Sequence, residues 1–451
     1  MAVKIKGNGY FEVTYTDFQG GLNVQEPETE MADNCTPSAI NFQTRNKELR
    51  SRPQFTLRFN GMDPNNAPLG LFSFLDVNAV THTVAWSNRG LWQLAPTGLP
   101  PGALSPWFQL GPPNMVPGNP VAYRAFANVL YYCNGGSFLA SWDGISLQPT
   151  ASNAAIPGST SIAAISVADA PTVIPGPPPA VGPLSIGGLF LSELDNHLIL
   201  ANITVLDNGT GTVYLFPNQL WYSANGIPTQ WDPVANTNAG NNAFLDVPDA
   251  ITGLGTTGVS GYIFRTNGIT FFDPTGNGAA PFQFDHLWAS DHGIGNVFPW
   301  SIAFYGPIGM FISVENIYKL GVADFEPIGG NARDAIMADL ALTSGNPTAQ
   351  IVPTENAGYV YLTYRVSIPL NNFTRIYLYD VEKKYWNPPW DEPFLLQTGR
   401  CEEVSTGVLA QLPLGAQPPG TNTAGGSPPS GGGGGGGGDG GRGGGGGRPL
   451  L

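Results

Sequence analysis

From about residue 61 to residue 413 the chain alternates apolar and polar positions in short runs, each broken by a turn and followed by a second run that carries an aromatic. Alternation with a period of two is the pattern of a strand pairing in a sheet. Five such units stand out: VAWSNRGLWQL (84–94), VLYYCNGGSFLASWDG (129–144), LWYSANG (220–226), YIFRTNGITFFD (262–273) and MFISVENIYKL (310–320), with Asn88, Asn134, Asn225, Asn267 and Asn316 at the turns. The separations of these asparagines are 46, 91, 42 and 49 residues. Three fall near the repeat of roughly 40–50 residues found in propeller blades, and the fourth is about double, so one blade signature is skipped. The skipped unit is expected around LSELDNHLILANI (191–203), behind a Pro- and Ala-rich insertion at about 151–183 that reads as a surface loop. A last unit, GYVYLTYRVSIPLNNFTRIYLYDVEKKYWN (358–387), places two alternating strands around Asn371 and Asn372. The expectation is an all-β protein, a β-propeller of six or seven blades. Its Asn-Gly turns are read as type I′ hairpins, because both central positions of that turn need positive φ.

Three segments depart from the pattern. Residues 332–343, within ARDAIMADLALTSG, are the one persuasive helix, with Ile336, Met337 and Leu340 on one face. Residues 1–60 form an N-terminal arm in which the strand-like YFEVTYTDF is followed by an irregular stretch. From 414 to 451 the chain shifts into Gly, Pro and Ser and ends in GGGGGGGGDGGRGGGGGRPLL. Such a segment cannot bury enough apolar surface to compensate its ordering entropy, so it is expected to be a disordered tail.

Composition agrees with the strand reading. Sixty glycines and 42 prolines leave little room for helix. Cys35, Cys133 and Cys401 are far apart and form no CxxC pair, which argues against a disulfide framework or a cysteine zinc site. The N-terminus MAVKIKGNGYFEV has no signal-peptide apolar run, and no stretch reaches the roughly 18 apolar residues of a membrane span. Assembly in the cytoplasm without membrane insertion is the expectation. A formal charge of −14 disfavours affinity for phosphates, but it suits a surface past which DNA slides without sticking.

Candidate chemistry is sparse. FDHLWASDH brings Asp285, His286, Asp291 and His292 together as weak candidates for a metal or an acid–base pair. No Cys or Glu completes a ligand pattern, and Asp and His also serve as turn formers. GLGTTG (253–258) fits GxGxxG, yet a strand follows it where a dinucleotide site needs a helix. Between the arm and the glycine-rich tail only Arg89, Arg124, Arg265, Arg333, Arg365, Arg375 and Arg400 are available for a sialidase-like arginine triad, for which the sequence offers no further support. His82 and His197 sit in strand-like runs and read as core. Most tryptophans read as packing between sheets. Trp386 and Trp390, in KKYWNPPWDEP, are the exceptions, because the prolines would hold them in a loop as a glycan platform beside Lys383 and Lys384. No cofactor is implied.

The arm carries a family resemblance. FQGGLNVQEPETEMADNCTPSAINFQTRNKELRSRPQF resembles the opening of bacteriophage tail-nozzle and head–tail-joining propeller proteins, with Gly20, Gly21, Leu22, Asn23, Asp33, Asn34, Asn41, Arg50, Arg52 and Pro53 at the matching positions. Gln54 replaces the glycine that follows that proline in the family. NQLWYSANGIPTQWDP (218–233), AITGLGTTGVSGYIFRTNGITFFD (250–273) and GIGNVFPWSIAFYGPIGMFISVENIYKL (293–320) are similar to later blades of that family, in the same order. The resemblance implies a non-enzymatic virion protein of the tail. It implies a homo-oligomeric ring, taken as a hexamer, beside adaptor or portal-proximal proteins and other tail proteins, around the channel for DNA ejection. Arg45, Lys47, Arg50, Arg52 and Arg58 face a single acid, Glu48, between residues 42 and 60. The expectation is that this basic cluster docks on an acidic neighbour through bidentate carboxylate contacts. The alternative left open is a tail-associated propeller that binds a receptor or glycan, with or without hydrolysis.

Overall fold

The computed structural model describes residues 2–5, 11–14, 21–25, 35–36, 40, 42–45, 48–51, 69–87, 90–94, 107–110, 116–136, 139–145, 163–164, 166–167, 184–207, 211–231, 238–244, 249–286, 293–321, 325–356 and 359–392. In the arm, β1 (Ala2–Ile5) pairs antiparallel with β2 (Phe11–Thr14), β3 (Gly21–Leu22) parallel with β4 (Cys35–Thr36), and β5 (Phe42–Arg45) antiparallel with β6 (Glu48–Ser51). Six antiparallel sheets follow, each with its strands in chain order. Blade 1 is β7 (Gly70–Leu75), β8 (Thr81–Ser87), β9 (Gly90–Leu94) and β10 (Trp107–Gln109). Blade 2 is β11 (Ala122–Phe126), β12 (Val129–Cys133), β13 (Ala140–Trp142) and β14 (Ala163–Ala164). Blade 3 is β15 (Ser166–Val167), β16 (Leu184–Leu194), β17 (His197–Asp207), β18 (Val213–Tyr222) and β19 (Gly240–Ala243). Blade 4 is β20 (Ile251–Thr256), β21 (Gly261–Arg265), β22 (Ile269–Pro274) and β23 (Phe282–His286). Blade 5 is β24 (Ala303–Tyr305), β25 (Ile308–Ile312), β26 (Ile317–Leu320) and β27 (Phe325–Pro327). Blade 6 is β28 (Thr348–Asn356), β29 (Tyr359–Pro369), β30 (Thr374–Asp380) and β31 (Tyr385–Glu392).

This is a six-bladed β-propeller, and its core explains why the strand runs are apolar on both faces. In β12, Leu130 and Tyr132 pack towards blade 1, whereas Tyr131 and Cys133 pack towards blade 3. Separate hydrophobic clusters fill the seams between blades 1 and 2, 2 and 3, 3 and 4, 4 and 5, and 5 and 6. Every blade is thus stabilised by burial against its neighbours rather than alone. Gly253 and Gly255 of the GxGxxG match are part of this packing, since a β-carbon there would strike Ile302 and Phe304 of blade 5. Their glycines serve close approach between sheets and not a dinucleotide.

Among the described residues the doubled spacing between Asn134 and Asn225 conceals no blade. LSELDNHLILANI forms the end of β16 and the start of β17, and LWYSANG belongs to β18 of the same sheet. The extra length lies in the connection from blade 2 and in strands β16 and β17, each 11 residues long. Among the described residues the blades number six, not seven. Within the 151–183 insertion, expected as a loop, β14 pairs with β13 and β15 with β16, and the rest of it lies outside the described residues.

The Asn-Gly turns also differ from expectation. At these pairs the asparagine keeps negative φ and only Gly135 (φ 90°) and Gly226 (φ 69°) are positive, whereas the turns with two positive φ values are Ala127–Asn128 and Asp195–Asn196. The asparagines act through their side chains. Asn134 Oδ1 accepts from the Val116 amide at 3.0 Å, and its Nδ2 donates to the Val116 carbonyl at 2.9 Å. Asn267 donates through Nδ2 to Asp249 at 2.8 Å, and Asn316 Oδ1 accepts from the Gly329 amide at 3.1 Å. In blades 2, 4 and 5 the recurring asparagine therefore ties the turn between second and third strands to an inter-blade connection.

Helix α1 (Arg333–Ala341) lies between blades 5 and 6, following one 3-10 turn at Gly330–Ala332. Ile336 and Leu340 are buried in the seam with Met337 against them, as the sequence pattern requires. The arm reaches the same seam: β3 and β5 lie against β31, Leu22 is buried in the cluster, and the Val24 amide donates to the Asn331 carbonyl at 3.0 Å. The described residues fall in one compact unit, Met1–Val404. The disorder expected for 414–451 concerns residues outside the described set. Among the described residues no helix is long and apolar enough to cross a membrane.

Candidate functional site

Strands β11, β16, β20, β24 and β28, one from each of blades 2 to 6, line a cavity of about 640 Å³ at the propeller axis. Its walls come from Tyr123 and Arg124 on β11, Leu191–Leu194 on β16, Gly255 and Thr256 on β20, Phe304 and Tyr305 on β24, and Ile351 and Pro353 on β28. The rim is built by hairpin tips: Asp195–Asn196, Thr257–Gly258 and Gly306. Positive φ at Asp195, Asn196, Gly258 and Gly306 folds each tip tightly enough to leave the mouth open.

Polar groups are placed at two seams of this wall. Between blades 2 and 3, burial pushes the Glu193 carboxyl up from its ordinary value, and the attraction of Arg124 pulls the other way. Between blades 3 and 4, the Ser192 and Thr256 hydroxyls share a hydrogen bond of 3.1 Å. The site therefore offers a guanidinium, two carboxylates, an amide and several hydroxyls in one enclosed space. A hydrolytic mechanism is not thereby specified. Sequence reasoning passed over Glu193, Asp195, Asn196 and Tyr305, because no local motif links residues brought together only by blade order.

The residues singled out in sequence fall elsewhere. Asp285 is exposed on β23, the outer strand of blade 4, where it accepts from Gln283 Nε2 at 3.1 Å. His286 closes that strand opposite Thr270, and its side chain, like Asp291 and His292 entirely, lies outside the described residues. Among the described residues no three His, Cys, Asp or Glu side chains are grouped to hold a metal. Arg45 and Arg50 stand on the β5–β6 hairpin with their side chains outside the described set, and Lys47, Arg52 and Arg58 lie outside it altogether. Arg124 lines the axial cavity, whereas Arg265 is buried beside Thr270 and Arg375 is held by Asp391 and Asp339, so the three share no site.

The tryptophan platform is overturned. Pro388 and Pro389 do not hold a loop; they sit at a register shift inside β31, an outer strand where a missing amide is tolerated. Trp386 is 3% exposed, and its Nε1 donates to the Ile328 carbonyl at 2.6 Å, while Trp390 is buried with Ile376 and Leu378. Neither ring offers a face to a sugar.

Three polar clusters in the blades are structural. His82 Nε2 lies 3.1 Å from Asp76 Oδ2 and its Nδ1 lies 2.9 Å from Gln93 Nε2, all three buried. His197 Nδ1 donates to the Ser223 carbonyl at 2.6 Å. Arg375 makes a bidentate pair with Asp391 (2.7 and 2.9 Å) and reaches Asp339 of α1 at 3.3 Å, and Tyr377 Oη donates to the same Asp339 oxygen at 2.6 Å. This network clasps the helix to blade 6. Arg375→Ala is expected to destabilise by about 3 kcal/mol, since it removes the cation shared by two carboxylates in a mostly buried place. Urea unfolding checks it, and a loss under about 1 kcal/mol, the range of exposed pairs, would show the clasp to be a surface ion pair.

No protein-family model and no curated protein matches the chain. Solved structures do. The AfRom2 CNH domain is 8% identical, with 74% of this chain and 88% of that one covered at a TM-score of 0.34. Hsv2 of Kluyveromyces lactis is 11% identical over 72% of this chain and 97% of its own, at a TM-score of 0.30. An exported protein of Bacteroides fragilis is 12% identical over 64% and 75%, at a TM-score of 0.30. Likeness at this level extends to no activity and no partner.

Proposed function

We propose that the chain is a structural subunit of a bacteriophage tail, a nozzle or head–tail connector propeller with no catalytic step of its own. Copies stand in a homo-oligomeric ring around the DNA-ejection channel. The observation that carries this reading is the placement of the arm. Gly21–Asn23, which resemble the opening turn of those tail proteins, are laid beside the outer strand of blade 6, with Leu22 and Asn23 buried. The arm is thus anchored on the outside of the propeller, the side a neighbouring copy meets in a ring. The basic cluster would then hold the next subunit or an adaptor through Arg–carboxylate pairs.

Negative-stain microscopy of the purified protein and of virions tests the reading, and a ring with an open channel, present in several copies per particle, is expected. A monomer absent from virions would overturn it. Replacing Arg50 and Arg52 together with Glu is expected to abolish ring assembly while leaving thermal unfolding of the propeller unchanged. Rings that form as before would remove the arm from the interface.

A further inference from the structure

The cavity at the propeller axis selects a ligand first by the charge of its side chains. Glu193, near the end of β16, and Asp195, at the tip that follows it, both line the space. Among the described residues neither carboxylate is held in an ion pair. Arg124, the one cation of the lining, attracts Glu193 across the seam, but it has a partner of its own. Two carboxylates against one guanidinium leave the lining net negative. Burial also disfavours the charged form of Glu193, and a cation brought beside it offsets that cost.

The second selection comes from aromatic surface. Phe304 lines the cavity and is fixed there, since a β-carbon on Gly255 would overlap its ring and it stacks on Tyr262 at 5.7 Å. Tyr305, 45% exposed, stands at the mouth beside the tip at Gly306. An organic ammonium matches both features, because its charge pairs with carboxylates and its carbon-bound hydrogens, which share that charge, are drawn to aromatic faces. Other classes lose one of the two. An anion is repelled by the carboxylates, and a neutral molecule strips them of water without replacing it. A bare metal ion gains nothing from the rings, and no three His, Cys, Asp or Glu side chains are grouped to hold one among the described residues. The volume lies within the roughly 300–1,000 Å³ of small-ligand sites.

We propose that this cavity binds an organic ammonium compound, with its charge at Glu193 and Asp195 and its carbon groups against Phe304 and Tyr305. The tip that carries Asp195 is held in place: Asn225 Nδ2 donates to the Asp195 carbonyl at 2.9 Å, and the Gly226 amide donates to the Asn196 carbonyl at 2.8 Å. The backbone that bears the carboxylate is thus preorganised at the mouth, and a ligand needs little reordering of it. The site belongs to a single propeller and does not rest on the ring reading, so each can fail without the other.

Ligand-observed NMR titrations of the full chain test the assignment with benzylamine, benzyltrimethylammonium, benzyl alcohol and benzoate, which share one ring and differ in charge. Saturable binding of the two cations is expected, about tenfold tighter than that of benzyl alcohol, with none of benzoate. Glu193→Gln is expected to weaken benzylamine binding about tenfold, the effect of losing a hydrogen bond to a charged group. Asp195→Asn is expected to weaken it about fivefold with unchanged melting, because the side chain is exposed and asparagine accepts the positive φ of that position. It carries the test should Glu193→Gln fold poorly. Tyr305→Ala is expected to cost about threefold, the worth of one exposed cation–π contact. No saturable binding of either cation, equal binding of benzyl alcohol, a preference for benzoate, or benzylamine binding indifferent to Asp195→Asn would each overturn the proposal.

Discussion

Replacing Trp386 with alanine is expected to cost about 4 kcal/mol of folding stability, among the largest effects available to a single substitution here. The indole lies between the outer strand of blade 6 and the segment leaving blade 5, with Tyr364, Tyr377 and Tyr379 around it at ring-centroid distances of 6.3, 6.4 and 5.2 Å. Alanine leaves a cavity that these rings, fixed on neighbouring strands, cannot close. It also leaves the Ile328 carbonyl without its indole donor. Trp386→Phe separates the two losses: it keeps most of the volume, so its cost is expected to be about 1–2 kcal/mol, the worth of one buried hydrogen bond. Denaturant midpoints at constant slope measure both. A Trp386→Ala protein that unfolds like the parent would return the ring to the surface and revive the platform.

That tryptophan also shows where sequence stops being informative. Period-two alternation and the recurring asparagines are local signals, and they revealed the strands, the propeller and the helix at Ile336 and Leu340. The blade count was ambiguous because strand length is not local. β16 and β17 are each 11 residues long and the connection from blade 2 is extended, so the spacing rule spread one blade over two periods. Trp386 was misplaced for a related reason. Two prolines ordinarily exclude a strand, but on an outer strand one side of the ladder is unused and a register shift absorbs them. The axial cavity was illegible for a third reason. Arg124 and Glu193 lie 69 residues apart by their numbering, and what brings them together is the adjacency of blades 2 and 3. Asn134, Asn267 and Asn316 were found as turn residues, yet their bonds run to connections that only the closed fold brings near.

Alkaline solution is expected to unfold the protein steeply above pH 10, and the tyrosines give the reason. Burial pushes the phenols of Tyr132, Tyr364 and Tyr377 far above their ordinary range, and Tyr379 is pushed up to about 12. Two of them also donate hydrogen bonds that need the proton: Tyr364 to the Ser301 carbonyl at 2.9 Å and Tyr377 to Asp339, whose negative charge opposes a phenolate beside it. In the unfolded chain each titrates near its ordinary value of about 10. Since the folded values are raised, the unfolded chain alone releases these protons between the two values. The stabilisation is therefore intact below about pH 10 and drains away as pH rises towards the folded values. At pH 11 the drain is about 1.4 kcal/mol for each fully protected tyrosine, or about 4 kcal/mol for Tyr132, Tyr364 and Tyr377 together, enough to consume a large part of a typical domain's stability. Phenolate absorbance and circular dichroism followed through one titration make the check. These tyrosines should ionise only as the sheet signal collapses, and their smooth ionisation near pH 10 in a folded protein would mean that the seams between blades admit water.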